Sequence, residues 1–148
     1  MDLKKISEAL SVSGQIQPDD VAKLARRGFG AIICNRPDGE AADQPTHEEM
    51  EKAALKAGLA FLYLPVTPGI VTDDTAAAFK QALTELPGPV LGYCRTGTRT
   101  TTLWSLAMAS DKSVVDILAA TKAAGYDMGG VVRRIANGGK TPVESAQD

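Results

Sequence analysis

Apolar positions along this chain come in short runs separated by stretches with helical spacing. Residues 3–14 (LKKISEALSVSG) set Ile6, Leu10 and Val12 in loose alternation, which predicts one or two short strands closed by Gly14. Pro18-Asp19-Asp20 opens a helix, because proline suits the first turn and carboxylates favour its positive end; Val21, Leu24, Ala25 and Gly28 then share a face, and Gly28 and Gly30 stop it. Ala31 to Cys34 is a buried-strand candidate, followed by the polar loop NRPDGEAADQP. Thr46 with Glu49 matches a capping box for a second helix, whose inward stripe is Met50, Ala53, Ala54 and Ala57 before Gly58. Leu59 to Leu64 predicts the next strand, and Thr72 caps a third helix with Asp73 and Asp74 in its first turn and Phe79, Leu83 and Leu86 inward.

The run from Pro89 to Trp104, PVLGYCRTGTRTTTLW, predicts strand, tight loop and helix, with Cys94 at the strand end. Ser113 caps a further helix through Ala124, ended by Gly125, and a short helix follows around Val131 to Ile135. Residues 139–148 lack apolar periodicity and are expected to form a mobile tail, with the folded domain over 1–138. Alternating strands and helices imply a single α/β domain with a mostly parallel, twisted sheet of about four to five strands and helices on both faces. In such sheets the ligand site lies beyond the carboxyl ends of the strands, where the loops after Cys34, Leu64 and Cys94 should meet.

Composition narrows the chemistry. The chain has 148 residues, enough to bury about 70% of its unfolded surface, and a net charge of −2, which argues against nucleic-acid binding. No segment approaches a membrane span, and the N-terminus lacks the apolar core of a secretory signal, so a reducing cytoplasm is the expected compartment. The two cysteines have neither the spacing nor the histidine neighbours of a metal site, so no metal and no cofactor is expected.

Cys94 begins the loop Cys94-Arg95-Thr96-Gly97-Thr98-Arg99. A thiolate is favoured by a helix N-terminus, nearby guanidinium groups and converging backbone N–H donors, and this loop offers all three. Cys94 and Arg99 are therefore the candidate catalytic residues. Arg95, Thr96, Gly97, Thr98 and Thr100 are candidates for binding an anionic substrate through guanidinium, hydroxyl and backbone donors.

The loop resembles the active-site loop of rhodanese-type sulfurtransferases and a shortened cysteine-dependent phosphatase loop. With Gly14-Gln15, Asn35 to Glu40 (NRPDGE) and Tyr63 to Val66 (YLPV), the chain is similar over about residues 3 to 110 to the beta-lactamase hydrolase-like family. That resemblance implies a phosphatase-like fold, alone or joined to a persulfide dioxygenase or sulfide-oxidising enzyme, with the catalytic loop on Cys94, Arg95, Gly97 and Arg99. Phosphatases of this type place five residues between cysteine and arginine, whereas four separate Cys94 from Arg99, and Thr100 holds the phosphatase arginine position. Their leaving-group acid is an aspartate just after the strand matching Phe61 to Val66; this chain has Thr67 there, and helix capping accounts for Asp73 and Asp74.

The short loop and missing acid point to sulfur transfer through a Cys94 persulfide, from thiosulfate or a small persulfide to a thiol or sulfite acceptor. Phosphate-ester hydrolysis through phosphocysteine and a non-catalytic anion- or persulfide-binding module are the alternatives. Cys34 is a resolving cysteine or a small core residue. Arg36 and Asp38 lie on a loop facing the site, where they bind substrate or serve the solvent and the turn. His47 is expected as an exposed first-turn residue, Trp104 in the core or at the pocket rim, and Arg133 and Arg134 on a solvated helix face.

Overall fold

The computed structural model describes residues 1–143. Five strands form one sheet: β1 (Lys4–Lys5), β2 (Leu10–Ser13), β3 (Ala31–Cys34), β4 (Ala60–Tyr63) and β5 (Val90–Tyr93), in the spatial order β1-β2-β5-β3-β4. Only β1 runs antiparallel, against β2; the other pairings are parallel. The expected α/β architecture is thus what forms, with β5 at the centre of the sheet.

Local signals place the helices α1 (Pro18–Arg26), α2 (His47–Lys56), α3 (Asp73–Glu85), α4 (Thr98–Ala107) and α5 (Val114–Ala123). The Thr46 hydroxyl accepts from the Glu49 N–H at 3.2 Å, while the Glu49 carboxylate accepts from the Thr46 N–H at 3.0 Å, the reciprocal cap read from the sequence. Thr72 and Ser113 cap α3 and α5 one way only, their hydroxyls accepting from the N–H groups of Thr75 and Asp116. A 3-10 turn at Gly129–Val131 leads into α6 (Val132–Ala136).

Strand alternation divides the core in two. Ile32, Cys34, Leu91 and Tyr93 pack with Val21 and Leu24 of α1 and Met50 and Ala54 of α2. Leu10, Val12, Ala31, Ile33 and Val90 pack with Phe79 of α3, Leu103 and Trp104 of α4 and Ile117 of α5. Trp104 is therefore a core residue, buried with α4. Among the described residues no helix is long and apolar enough to cross a membrane.

Two expectations about the C-terminal part change. The chain from residue 139 does not leave the domain at once: Gly139 is buried, its N–H donates to the Arg134 carbonyl at 2.8 Å, and Thr141 donates its N–H and hydroxyl to the Asp73 carboxylate. Residues 144–148 of the expected tail lie outside the described residues. Nor is Arg134 on a merely solvated face, since its guanidinium donates to the Val71 carbonyl at 2.7 Å and to Asp73 at 2.8 Å.

What sets the site is the approach of α4 to β5. Gly92 has no side chain, and the Thr100 methyl group fills the space; a Cβ on Gly92 would lie 2.6 Å from it and 3.5 Å from a Leu10 methyl. Both neighbours are fully buried. A Gly92→Ala variant should therefore lose about 1–3 kcal/mol of stability, the usual cost of overpacking, seen as a lower urea midpoint. Wild-type stability in this variant would show that α4 has room to retreat.

Candidate active site

Parallel register puts Ser13, Cys34 and Tyr93 on one rung at the carboxyl ends of three adjacent strands. The chain then leaves each strand into a loop on that edge. After β5, the Cys94 N–H donates to the Ser13 carbonyl at 3.4 Å, and the loop closes at Gly97, which precedes α4 with φ of +92°. This left-handed angle suits glycine and lets the Gly97 N–H point back to the Cys94 sulfur, at 3.1 Å. Cys94 itself is fully buried at the floor of the loop.

Arg99 lies on the first turn of α4 and is nine-tenths buried. Its guanidinium donates to both oxygens of the Glu40 carboxylate, at 2.8 and 2.9 Å, and to the Val66 carbonyl at 2.8 Å. The loops after β3, β4 and β5 thus meet, as the topology requires. The Glu40 bonds hold Arg99 above its ordinary basicity against the cost of its burial, with a smaller contribution from its nearness to Cys94. Glu40 is correspondingly lowered, chiefly by Arg99 and also by Arg36.

The loop residues divide by exposure. Arg95, Thr96 and Thr98 are exposed at the mouth, and the two threonine hydroxyls lie 3.1 Å apart. Thr100 is different. It is fully buried and donates its hydroxyl to the Asn35 side-chain oxygen at 2.8 Å, so it holds α4 to the β3 loop and offers nothing to a ligand. Where the phosphatase pattern has its arginine, this chain has a structural tie.

The β3 loop is more ordered than its composition suggests. Arg36, expected to be solvated or substrate-facing, is buried; it donates to Glu40 at 3.0 Å and to the Gln15 side-chain oxygen at 3.0 Å. Asp38 accepts from the His47 N–H at 2.8 Å and pairs with His47 Nδ1 at 2.6 Å. The His47 ring is not free in solvent either, for it stacks on Tyr63 with centroids 3.7 Å apart. Cys34 is a free, buried thiol that donates to the Arg36 carbonyl with the sulfur 3.4 Å from the oxygen, and burial pushes its pKa up. It shares a sheet face with Tyr93, and its neutral thiol suits the core role better than that of a resolving nucleophile.

Four site residues have no role assigned by the sequence alone, although Asn35, Glu40 and Gln15 lie in the stretches that carry the family resemblance. Glu40 and Asn35 occur in the polar loop, but only the fold brings them to α4. The Asn35 side chain joins Thr100 to the Leu64 carbonyl, which it reaches at 2.7 Å. Gln15 backs the cysteine loop by donating its N–H to the Arg95 carbonyl at 3.3 Å, and Tyr126 donates its hydroxyl to the Thr96 carbonyl at 3.0 Å. Among the described residues no group of three or more His, Cys, Asp and Glu side chains is placed to hold a metal.

The Glu40 pairing has a pH signature. A carboxyl lowered in the folded state stabilises the fold above its unfolded value, near 4.5, and that contribution is lost as pH falls through the lower folded value. Wild-type protein should have a higher urea midpoint than Glu40→Gln at pH 7, with the gap narrowing below about pH 4.5 and closing in stronger acid. A gap constant between pH 7 and 3 would remove the ion pair from the stability of the site.

Comparison with known proteins agrees with this architecture. Residues 2–111 match the family described as beta-lactamase hydrolase-like protein, phosphatase-like domain. A beta-lactamase hydrolase-like protein of Xylella fastidiosa is 37% identical over 134 residues, which cover 89% of this chain and 31% of that protein. The chain therefore spans about a third of the length of the curated relatives it matches. A crystal structure of a candidate phosphatase from Neisseria meningitidis superposes with a TM-score of 0.83 at 34% identity, covering 93% of this chain and 99% of that one. A second candidate phosphatase, from Shewanella putrefaciens, shares the fold with a TM-score of 0.72 at 18% identity, over 91% of this chain and 88% of that one. With its cysteine loop, its parallel sheet and these matches, the chain belongs to the beta-lactamase hydrolase-like family as a phosphatase-like domain.

Proposed function

We propose that the domain is a cysteine-dependent enzyme of phosphatase type, acting on small phosphate compounds whose leaving group departs as a stabilised anion. The observation that carries this reading is the Cys94 sulfur at the floor of a six-residue loop, with the Gly97 N–H on it and the Arg99 guanidinium beside it. Such a cradle binds an anion and stabilises charge that grows during attack. The family and fold described above support phosphoryl chemistry ahead of other uses of the cradle.

The Cys94 thiolate attacks phosphorus; the S–P bond forms as the P–O bond breaks, and the electron pair leaves with the oxygen. Water then attacks the phosphocysteine, the S–P pair returns to sulfur, and inorganic phosphate departs with a proton lost to solvent. The restriction on leaving group follows from how the carboxylates are engaged. Glu40 is held ionised by two arginines, Asp38 is paired with His47, and Asp73, at the start of α3, is occupied by Arg134 and Thr141, so none is placed as a free acid for an alkoxide. Aryl phosphates, acyl phosphates and phosphoanhydrides need no such acid.

A second reading, transfer of a sulfane sulfur, is favoured by the loop length. With Thr100 tied to Asn35, the loop is one residue shorter than the phosphatase pattern, which suits a smaller transferred group. Cys94 thiolate would attack the outer sulfur of thiosulfate or a small persulfide. A new S–S bond forms, the old one breaks, and sulfite or a thiolate leaves with the pair. A thiol or sulfite then takes the sulfur and restores the Cys94 thiolate. A fused or separate persulfide-handling enzyme would be the partner in this case.

Intact mass and turnover decide between them. Reduced protein incubated with 4-nitrophenyl phosphate should release nitrophenol, and Cys94→Ser should lower that rate by about a thousandfold or more. Incubation with thiosulfate in place of the phosphate should leave the wild-type mass unchanged. Gain of one sulfur atom from thiosulfate, reversed by a thiol and absent in Cys94→Ser, with no phosphate turnover, would replace the first reading by the second.

A further inference from the structure

Beyond residue 111, the end of the family match, the chain builds a cavity next to the cysteine loop. It measures about 560 Å3, within the usual range for small-molecule sites, and is lined by Leu118, Tyr126 and Met128, with Lys122 and Asp127 among the polar groups around them. Its walls are fixed. Gly125, with φ of +96°, ends α5 and lets the Tyr126 N–H donate to the Thr121 carbonyl at 2.9 Å. The buried Met128 sulfur accepts from the Thr102 hydroxyl at 3.6 Å.

Tyr126 belongs to both sites. Its ring lines the cavity, while its hydroxyl donates to the Thr96 carbonyl and occupies the space that a Cβ on Gly97 would need. Gly97 is the residue whose N–H meets the Cys94 sulfur. The tyrosine therefore fixes two successive residues of the loop over the nucleophile.

We propose that this cavity is the subsite for the departing part of the substrate, a small apolar or aromatic body, and that Tyr126 is the positioning residue that joins it to the cysteine loop. The proposal rests on Cys94 acting as a nucleophile toward an anionic group, and it adds what that group is attached to. Continuity through Tyr126 is the argument for this occupant: one side chain lines the cavity beside Leu118 and Met128 and also touches the cysteine loop at Thr96 and Gly97, while Lys122 and Asp127 are exposed.

The test is a methyl and amide NMR titration of the whole chain with phenylphosphonate and methylphosphonate, which share the anion and differ in the body. Phenylphosphonate should shift the Leu118 and Met128 methyl signals and bind at least about tenfold more tightly, one hydrogen bond's worth or more of added contact. Leu118→Glu should bring the two ligands within about twofold of each other without changing methylphosphonate binding. Tyr126→Phe keeps the ring and removes the hydroxyl: hydrogen exchange of the Gly97 amide should rise about tenfold, and kcat should fall about tenfold with KM within twofold. Equal binding of the two phosphonates, silent Leu118 and Met128 methyls, or no phosphonate binding would overturn the subsite; an unchanged Gly97 amide in Tyr126→Phe would overturn the positioning role. Absence of phosphate turnover in wild-type protein that still discriminates the two ligands would count against phosphoryl chemistry alone.

Discussion

A guanidinium that is nine-tenths buried has to be met by a carboxylate, and the meeting of Arg99 with Glu40 is the constraint on which this site depends. Glu40 accepts from Arg36 as well, so one carboxylate holds two arginines. Three consequences follow from that sharing. The β3 loop is drawn over the sheet edge, α4 is held with its first turn against the cysteine, and the surplus positive charge is left where an anion would arrive. The Val66 carbonyl completes the guanidinium's set and brings the β4 loop into the same unit.

The loop itself trades one kind of contact for another. A tie between Thr100 and Asn35 occupies the helix position that the phosphatase pattern gives to an arginine, and Arg99 stands at the preceding position, paired with Glu40. Gly92 makes this possible by letting the threonine lie directly on β5. The result is a buried cysteine with a backbone donor and a neighbouring cation, while the Glu40 and Asp73 carboxylates are both engaged by arginines.

How much of this was legible depends on sequence distance. Helix caps at Thr46, Thr72 and Ser113, glycine stops, and the apolar runs of β3 and β5 are local, and they gave element positions to within a residue or two. The cysteine loop is six consecutive residues and could be read as chemistry. What closes the site is not local. Arg99 and Glu40 are 59 positions apart, Thr100 and Asn35 65, and Tyr126 and Thr96 30. Each residue alone has an ordinary explanation as a loop polar group, a helix threonine or a tyrosine after a glycine. For the same reason Arg134 reads as solvated, its carboxylate lying 61 positions away, whereas the partner of Arg36 is only four residues on but in a loop with no periodic structure to bring the two together. The Thr100 hydroxyl, beside the cysteine loop, suggests a ligand contact, whereas its position on α4 turns it to the sheet and to Asn35.

The shared rung of Ser13, Cys34 and Tyr93 makes the sheet a ruler. Parallel strands lie about 4.8 Å apart whatever their side chains, so the spacing between the bases of the three loops is fixed by backbone hydrogen bonding alone. Changes in loop sequence alter depth and charge but leave that gauge alone. The length of the cysteine loop is then the adjustable part of a frame whose spacing is fixed.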